Sequence, residues 1–187
     1  MITKLELETL LNLPIVVILD EAYAEFNDVS FITWVPDQPN LIVLRTFSKW
    51  AGLAGLRVGY GAFPLAILEH LWKIKQPYNV NLAGQIAAIA SLDDVDYLMG
   101  NVAKIIDTRE QLQAGLAKID WLNAYPSRSN FVLCQVVGRD AAQIKTALAG
   151  RGILVRYYNS TGLADHLRFS VGTPEQIDRL LAVLGTL

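Results

Sequence analysis

The sequence predicts an α/β fold in two parts: a partial, mostly parallel sheet with helices over residues 1–94, and a smaller α/β domain over residues 95–187. Three observations support this prediction. β-Branched apolar runs that alternate with helical segments are typical of parallel sheets. A long amphipathic segment begins near residue 94, and shorter strand and helix patterns follow it. We therefore expect the long helix to bridge the two parts.

The first part begins with a helix, which is followed by three strands. Leucines at helical spacing predict a helix over residues 3–12, with Thr3 as its N-cap. The run "IVVIL" ends in Asp20 and is typical of a strand that is buried on both faces. The stretches "NLIVLRTFS" and "GLRVGYGAF" predict the next two strands. The loop between the first two strands leaves room for a short helix at most.

Three helices come next along the chain. A helix is predicted after Pro64, at about residues 65–75, and a second over residues 82–92, with Asn81 as its cap. The long helix then covers about residues 94–118. Its apolar residues recur at helical spacing and form one stripe.

The second part alternates strands and helices. "NFVLCQV", "RGILVRYY" and "HLRFSVG" are strand candidates, and "DAAQIKTALAG" is a helix between the first two. The last helix starts after Thr173, with Pro174 at its first position and Gln176 three residues after the cap. This arrangement predicts a capping box.

Composition restricts the partners of the chain. A net charge of -2 without any basic run argues against nucleic acid and anionic membrane surfaces. No segment is long and apolar enough to suggest a membrane span. The single cysteine, Cys134, excludes a disulfide framework and favours a reducing compartment, so we expect a cytoplasmic protein. We expect the Cys134 thiol itself to be a small buried hydrophobe.

The chain is unusually apolar. Hydrophobic residues make up 52% of it, and exchanging tyrosine for glycine in that count gives roughly 55%, above the ~45–50% usual in soluble domains. The excess predicts that part of the apolar surface is covered by a partner: either an oligomer or the other half of a larger fold.

Four residues lie at or near the ends of the predicted strands of the first part. Asp20 ends the first strand and Tyr23 follows it, Lys49 follows the second, and Arg57 lies near the start of the third. Each has a structural interpretation taken alone, such as a cap for Asp20 or an exposed turn for Lys49. Charged groups at the ends of buried strands are nevertheless costly unless they meet a ligand or each other. Together they suit pyridoxal phosphate (PLP), which needs a lysine for its aldehyde, an acid for its pyridine nitrogen and a donor for its ring oxygen. Its phosphate needs an arginine and hydroxyl groups.

Several stretches of the chain, in their order, resemble the family of histidinol-phosphate aminotransferases, within the fold-type I aminotransferases. They are "VVILDEAYAEF", "NLIVLRTFSKWAGLAGLRVGY", "KQPYNVN", "SNFVL", "GILVR" and "LRFSVGTPEQIDRLL". The resemblance implies PLP-dependent transamination between histidinol phosphate and 2-oxoglutarate in histidine synthesis. It covers nearly the whole chain.

The resemblance also implies roles for single residues. Lys49 would be the Schiff-base lysine and the catalytic acid/base, Asp20 would pair with the pyridine nitrogen, and Tyr23 with the ring oxygen. Hydroxyl and guanidinium groups of three further residues would hold the phosphate: Thr46, Ser48 and Arg57. Two arginines of the second part would bind substrate, Arg168 at the α-carboxylate and Arg156 at the substrate phosphate.

Members of that family are much longer than this chain, which would correspond to roughly their second half. Groups that hold the cofactor in the first half would then be missing, so we expect weak PLP binding and low activity from the chain alone. We also expect a homodimer or another form of self-association. Two alternatives stay open: an enzyme like threonine-phosphate decarboxylase, and a truncated chain that folds without catalysing any reaction.

Overall fold

The structure is a computed structural model that describes residues 2–27 and 29–187. It divides into two compact units, Met1–Met99 and Gly100–Leu187. The division falls within one helix, so the domain boundary predicted near residue 95 stays a prediction. Of the helices in the described part of the chain, none combines the length and the hydropathy that a membrane span requires.

The first unit contains helices, three strands and short 3-10 turns. Its regular elements are α1 (Lys4–Leu11), β1 (Val17–Asp20), β2 (Leu41–Thr46), β3 (Gly59–Ala62), α2 (Leu65–Ile74) and α3 (Leu82–Asp93), followed by the beginning of α4 (Val95–Leu116). The 3-10 turns are Ala24–Phe26, Ile32–Asp37 and Ala54–Leu56.

Side-chain caps fix the starts of two helices where the sequence predicts them. The Thr3 hydroxyl accepts the backbone N–H of Glu6 at 3.3 Å, and the Glu6 carboxylate accepts the backbone N–H of Thr3 at 2.7 Å. The side chain of Asn81 accepts the N–H of Gly84 at 2.7 Å. Both contacts satisfy amide groups that have no partner within the helix.

The first sheet has the order β1-β2-β3, with β1 and β2 parallel and β2 and β3 antiparallel. One face packs on α1 and the turn at residues 32–37 through a core of Leu7, Val17, Phe31, Val35, Leu41 and Val43. On the other face, Ile18 is 62% exposed and Leu44 is 36% exposed. The expectation that β1 is buried on both faces is therefore wrong for the described residues, since Ile18 is exposed on this face although its neighbour in β2, Ile42, is buried.

The second unit is a four-stranded antiparallel sheet with helices on one face. Its elements after α4 are β4 (Leu122–Ala124), β5 (Phe131–Val136), α5 (Ala141–Gly150), β6 (Arg156–Tyr157), β7 (His166–Ser170) and α6 (Pro174–Leu184). The strand order is β4-β5-β7-β6. Alternate residues of β5 and β7 point into a core that also includes residues of α4, α5 and α6.

Two details of this unit differ from the sequence prediction, and two agree with it. Strand β4 is an addition, and β6 is shorter than "RGILVRYY": the chain turns at Gly152, where φ is 74°, and residues 153–155 lie outside the strand. The capping box at Thr173 is present. Cys134 is fully buried, and burial raises the pKa of its thiol to about 12.

Candidate active site

The carboxyl ends of β1 and β2 share one edge of the first sheet. The two strands run parallel with Asp20 opposite Leu44, so Asp20 and Thr46 both end their strands at this edge. Open α/β sheets bind their ligands outside the carboxyl ends of the strands. The residues that follow these two strands therefore lie at the edge where a ligand is expected.

Lys49 and Tyr23 come together at this edge although they are far apart in the sequence. The Nζ atom of Lys49 lies 5.4 Å from the centre of the Tyr23 ring, and both side chains are half-buried. An ammonium group at this distance is attracted by the negative face of an aromatic ring. Within the described residues, the Lys49 amine has no hydrogen bond or ion pair. It is thus held in place by a contact that leaves its donors free.

Asp20 presents an exposed carboxylate at the same edge. One oxygen, Oδ1, accepts the backbone N–H of Ala22 at 3.0 Å, which fixes the side chain within the turn that leaves β1. No lysine or arginine among the described residues forms an ion pair with it. The carboxylate is therefore oriented by its own turn and free to accept a proton donor.

Lys49 and Arg57 belong to one closed loop between β2 and β3. The N–H of Phe47 donates to the carbonyl of Val58 at 3.1 Å, and Thr46 pairs with Gly59 in the antiparallel ladder. The loop therefore returns to the place where it began. Its two functional candidates are held at the same end of the sheet by the hydrogen bonds that close it.

The two hydroxyl groups of this segment differ in their availability. The Thr46 hydroxyl donates to the Val58 carbonyl at 3.2 Å and accepts the backbone N–H of Ser48 at 3.0 Å. Its only proton is therefore in use. The Ser48 hydroxyl makes no hydrogen bond to the residues that the structure describes, so it is the better donor for a ligand.

Arg57 has a left-handed backbone, with φ 58° and ψ 45°. Among the described residues it is the only one other than glycine with a positive φ. Its Nη1 donates to the carbonyl of Ala54 at 3.1 Å, and the side chain is exposed. Residues in this conformation are strained and concentrate at functional sites. The left-handed backbone of Arg57 is thus an indication of a functional site that is independent of the position of its guanidinium.

A buried ionic cluster beside this edge was not predicted from the sequence. The guanidinium of Arg45 contacts the carboxylates of Glu21 and Glu25 at 2.9 and 3.1 Å, and it donates to the Ser30 hydroxyl at 2.7 Å. Burial lowers the pKa of Arg45, but the hydrogen bond and charge of Glu21 outweigh this effect and raise it. The charge-rich "DEAYAE" and an arginine inside an apolar strand were the available signals.

Two arginines of the second unit lie directly opposite each other. Arg156 in β6 pairs in register with Arg168 in β7. Their guanidinium carbons lie 5.3 and 5.9 Å from the ring centre of Tyr158, and Arg168 also stacks over Phe131 at 5.0 Å. Neither arginine forms an ion pair with a described residue, and the Nε of Arg168 is buried without a partner among them. Like charges opposite each other are destabilising, so this face of the sheet is suited to an anion.

A second polar cluster of this unit surrounds the buried His166, for which the sequence suggested no role. Its Nδ1 lies 2.6 Å from Asp165 Oδ1, and its Nε2 lies 3.3 Å from the Tyr125 hydroxyl. Gln135 donates to the other Asp165 oxygen at 2.7 Å. The hydrogen bond from Gln135, followed by those from the Asp165 backbone and His166, lowers the pKa of Asp165. The cluster connects β5 with the beginning of β7.

The predicted site residues thus form two groups. The first unit holds six of them at the carboxyl edge and in the adjoining loop: Asp20, Tyr23, Thr46, Ser48, Lys49 and Arg57. The second unit holds Arg156 and Arg168. The described residues contain no cluster of histidine, cysteine and acidic side chains that could hold a metal ion.

The family described as aminotransferase class I and II matches the chain over residues 1–184. A histidinol-phosphate aminotransferase from Roseiflexus castenholzii is 53% identical over 186 residues, which are 98% of this chain and 50% of that protein. Histidinol-phosphate aminotransferase 1 (chloroplastic) from Arabidopsis thaliana is 52% identical over 98% of this chain and 44% of its own length. The chain therefore spans about half the length of the curated relatives it matches.

Solved structures share the fold. The histidinol-phosphate aminotransferase from Clostridium acetobutylicum has a TM-score of 0.90 at 26% identity and covers 100% of this chain and 59% of its own. The enzyme of that name from Sinorhizobium meliloti, in complex with pyridoxal-5'-phosphate, has a TM-score of 0.75 at 32% identity over 91% of this chain and 49% of its own. The L-threonine-O-3-phosphate decarboxylase from Porphyromonas gingivalis has a TM-score of 0.88 at 24% identity over 100% of this chain and 59% of its own, and this likeness concerns the fold alone.

Proposed function

Because the chain belongs to the aminotransferase class I and II family, we propose that it supplies part of a PLP-dependent enzyme that transfers an amino group between histidinol phosphate and 2-oxoglutarate. This reaction is a step of histidine synthesis. Relatives named histidinol-phosphate aminotransferase support the choice of substrate. One observation carries the proposal: at the carboxyl edge of the sheet, the Lys49 amine lies 5.4 Å from the Tyr23 ring centre and keeps its donors free of described partners.

The described residues fit PLP, which supplies an electron sink for a carbanion when it is bound. Lys49 would hold its aldehyde carbon, Asp20 its pyridine nitrogen and Tyr23 its ring oxygen. Ser48 and Arg57 would donate to its phosphate. Thr46 would contribute mainly by ordering Ser48, since its hydroxyl already accepts the Ser48 N–H and donates to a carbonyl.

Each side chain then has a definite task. When it is not bound to the aldehyde carbon, the Lys49 amine would take a proton from the substrate α-carbon and return one. The Asp20 carboxylate would keep a positive charge on the pyridine nitrogen through a charge-assisted hydrogen bond. The Tyr23 phenol would donate a hydrogen bond to the ring oxygen, and its aromatic ring, 5.4 Å from the Lys49 amine, would limit the positions open to that amine.

The two arginines of the second unit are proposed to bind substrate anions. Arg168 would bind the α-carboxylate of glutamate and 2-oxoglutarate, and Arg156 the phosphate of histidinol phosphate. A planar guanidinium binds both groups through two parallel hydrogen bonds. Support comes from the pairing of the two residues in register without a carboxylate partner among the described residues.

Self-association in the reducing cytoplasm is the proposed state of the chain, with a homodimer as its simplest form. Strand β1 is an edge strand whose outer face carries the exposed Ile18, and α2 and α3 expose Trp72, Ile86 and other apolar residues. Exposed edges and apolar patches of this kind favour association. Sedimentation velocity tests this proposal, and a clean monomer at micromolar concentration would contradict it.

Covalent trapping tests the proposed function. The 187-residue chain is mixed with excess PLP and reduced with borohydride, and its peptides are then mapped. We expect the pyridoxyl group on Lys49, although binding is weak, while Lys73 and Lys104 serve as internal controls. Lys49→Arg should abolish the label.

Label on Lys73 or Lys104 instead of Lys49 would contradict the assignment. A parallel assay of amino transfer and of CO2 release from threonine phosphate separates the aminotransferase from the decarboxylase alternative. A chain that is labelled at Lys49 but inactive in both assays would be the non-catalytic alternative.

A further inference from the structure

The ionic cluster around Arg45 joins both ends of the loop at residues 21–31 to strand β2. Arg45 Nε donates to Glu21 Oε2 at 3.0 Å, Nη1 to Glu25 at 3.1 Å and Nη2 to Ser30 at 2.7 Å. Glu21 is in turn the acceptor for the Ser30 hydroxyl at 2.7 Å and for the backbone N–H of Phe31 at 2.6 Å. One guanidinium thus holds the start, the middle and the end of the loop.

The cluster is buried and its charges do not balance. The side chains of Arg45, Glu21 and Glu25 are 14%, 7% and 12% exposed, so two carboxylates share one cation with little access to water. The Oε2 atom of Glu25 is buried without a partner among the described residues. Buried ion pairs contribute little to stability compared with apolar residues of similar volume, and their best-attested use is to fix one arrangement.

The arrangement that the cluster fixes includes the proposed cofactor residues. Glu21 directly follows Asp20, and the loop carries Tyr23 between Glu21 and Glu25. Arg45 lies four residues before Lys49 on the strand that leads to it. The contact between the Lys49 amine and the Tyr23 ring therefore joins two segments that the cluster also joins, although Tyr23 and Lys49 are far apart in the sequence.

We propose that Arg45, Glu21 and Glu25 are positioning residues, which hold Tyr23 and Asp20 in place relative to Lys49. The role rests on the proposed function, since it is defined by the residues that would hold PLP. An arginine is required because three separate acceptors are reached by one planar group, whereas a lysine amine could reach only part of them. The cluster acts through Tyr23 and Asp20 and touches no substrate.

The test measures the coupling between the cluster and Lys49 without PLP. Trace labelling with acetic anhydride gives the acylation rate of Lys49 relative to the exposed Lys118, peptide by peptide. Hydrogen exchange of the loop and of α1 separates local loosening from global unfolding. The variants are Arg45→Met, Arg45→Lys and the neutral triple variant Glu21→Gln/Glu25→Gln/Arg45→Met. Arg179→Met, which removes an exposed arginine of the second unit, is the matched control.

We expect Arg45→Met and the triple variant to raise the relative rate of Lys49 at least threefold and to speed exchange over residues 21–31, with α1 unchanged. Arg45→Lys should give an intermediate rate, and Arg179→Met should change neither. The triple variant leaves no unpaired charge, so it keeps the test valid where Arg45→Met alone unfolds. A folded triple variant with the original Lys49 rate would overturn the proposal, and so would unfolding of both variants, because the cluster would then maintain the fold rather than a position. The label-trapping experiment with PLP can fail independently, which keeps the two proposals distinguishable.

Discussion

Replacing Arg57 by glycine and by alanine separates backbone strain from phosphate binding. Arg57 holds φ 58° and ψ 45°, a conformation that costs an L-residue roughly 1–2 kcal/mol and glycine almost nothing. Glycine loses more conformational entropy on folding, which offsets about 0.4–1 kcal/mol of that gain. We therefore expect Arg57→Gly to be more stable than Arg57→Ala by about 0.5–1 kcal/mol.

Thermal unfolding followed by circular dichroism measures this difference. For a chain of 187 residues, the expected gap in Tm is about 1–4 °C, with the glycine variant higher. Both variants lose the same guanidinium, so both should retain PLP equally poorly after gel filtration. An alanine variant as stable as the glycine variant would refute the strain argument. Unequal PLP retention would show that the backbone conformation at position 57 also contributes to the phosphate site.

Three further predictions follow from single side chains. In a protein that contains the full site, Asp20→Asn should keep PLP but lose most of its turnover, and a rate within a few-fold of the original would contradict the pairing with the pyridine nitrogen. In the same protein, Arg168→Ala should raise the concentration of 2-oxoglutarate needed for half-saturation at least tenfold, since a charged hydrogen bond contributes on the order of 1.5–3 kcal/mol. An unchanged saturation curve for 2-oxoglutarate would exclude the contact. The pKa of Asp165 is lowered in the folded chain by its hydrogen bond from Gln135. The ionised side chain therefore contributes fully to stability when the pH is above the pKa of Asp165 in the unfolded chain, and this contribution is lost as the pH falls through the lower pKa of the folded chain. Urea titrations should then show that the stability difference between the unsubstituted chain and Asp165→Asn shrinks as the pH is lowered below the pKa of Asp165 in the unfolded chain. A difference that stays constant with pH would contradict this.

The elements that the sequence predicted well are those with strong local signals. Thr3, Asn81 and Thr173 each cap a helix through side-chain contacts within three residues, so the nearby sequence contains the whole interaction. Strand β4 was missed because the three residues from Leu122 to Ala124 are too short to show an alternation. The direction of β3 relative to β2 was also not predicted, because it depends on how the intervening loop closes.

The sequence identified the candidate reactive groups of the site, and it did not identify the residues that hold them in place. Lys49 and Tyr23 stood out as residue types at strand ends, and the structure places them in contact. The hydrogen bond between Arg45 and Glu21 joins positions 24 residues apart, and nothing in either local sequence indicates the other. Long-range ion pairs of this kind require the fold before they can be found.

The closed loop between β2 and β3 gives a physical meaning to the eight positions that separate Lys49 from Arg57. The ladder pair of Thr46 with Gly59 fixes where the loop begins and ends. The closing hydrogen bonds therefore restrict the number of residues in the loop rather than their identities. Many substitutions at Ala51, Ala54 or other loop positions would then be tolerated. One inserted residue would instead change the position of the Lys49 amine relative to the Arg57 guanidinium, or break the hydrogen bonds that close the loop. In a mutational library, this segment should therefore accept changes of composition far more readily than changes of length.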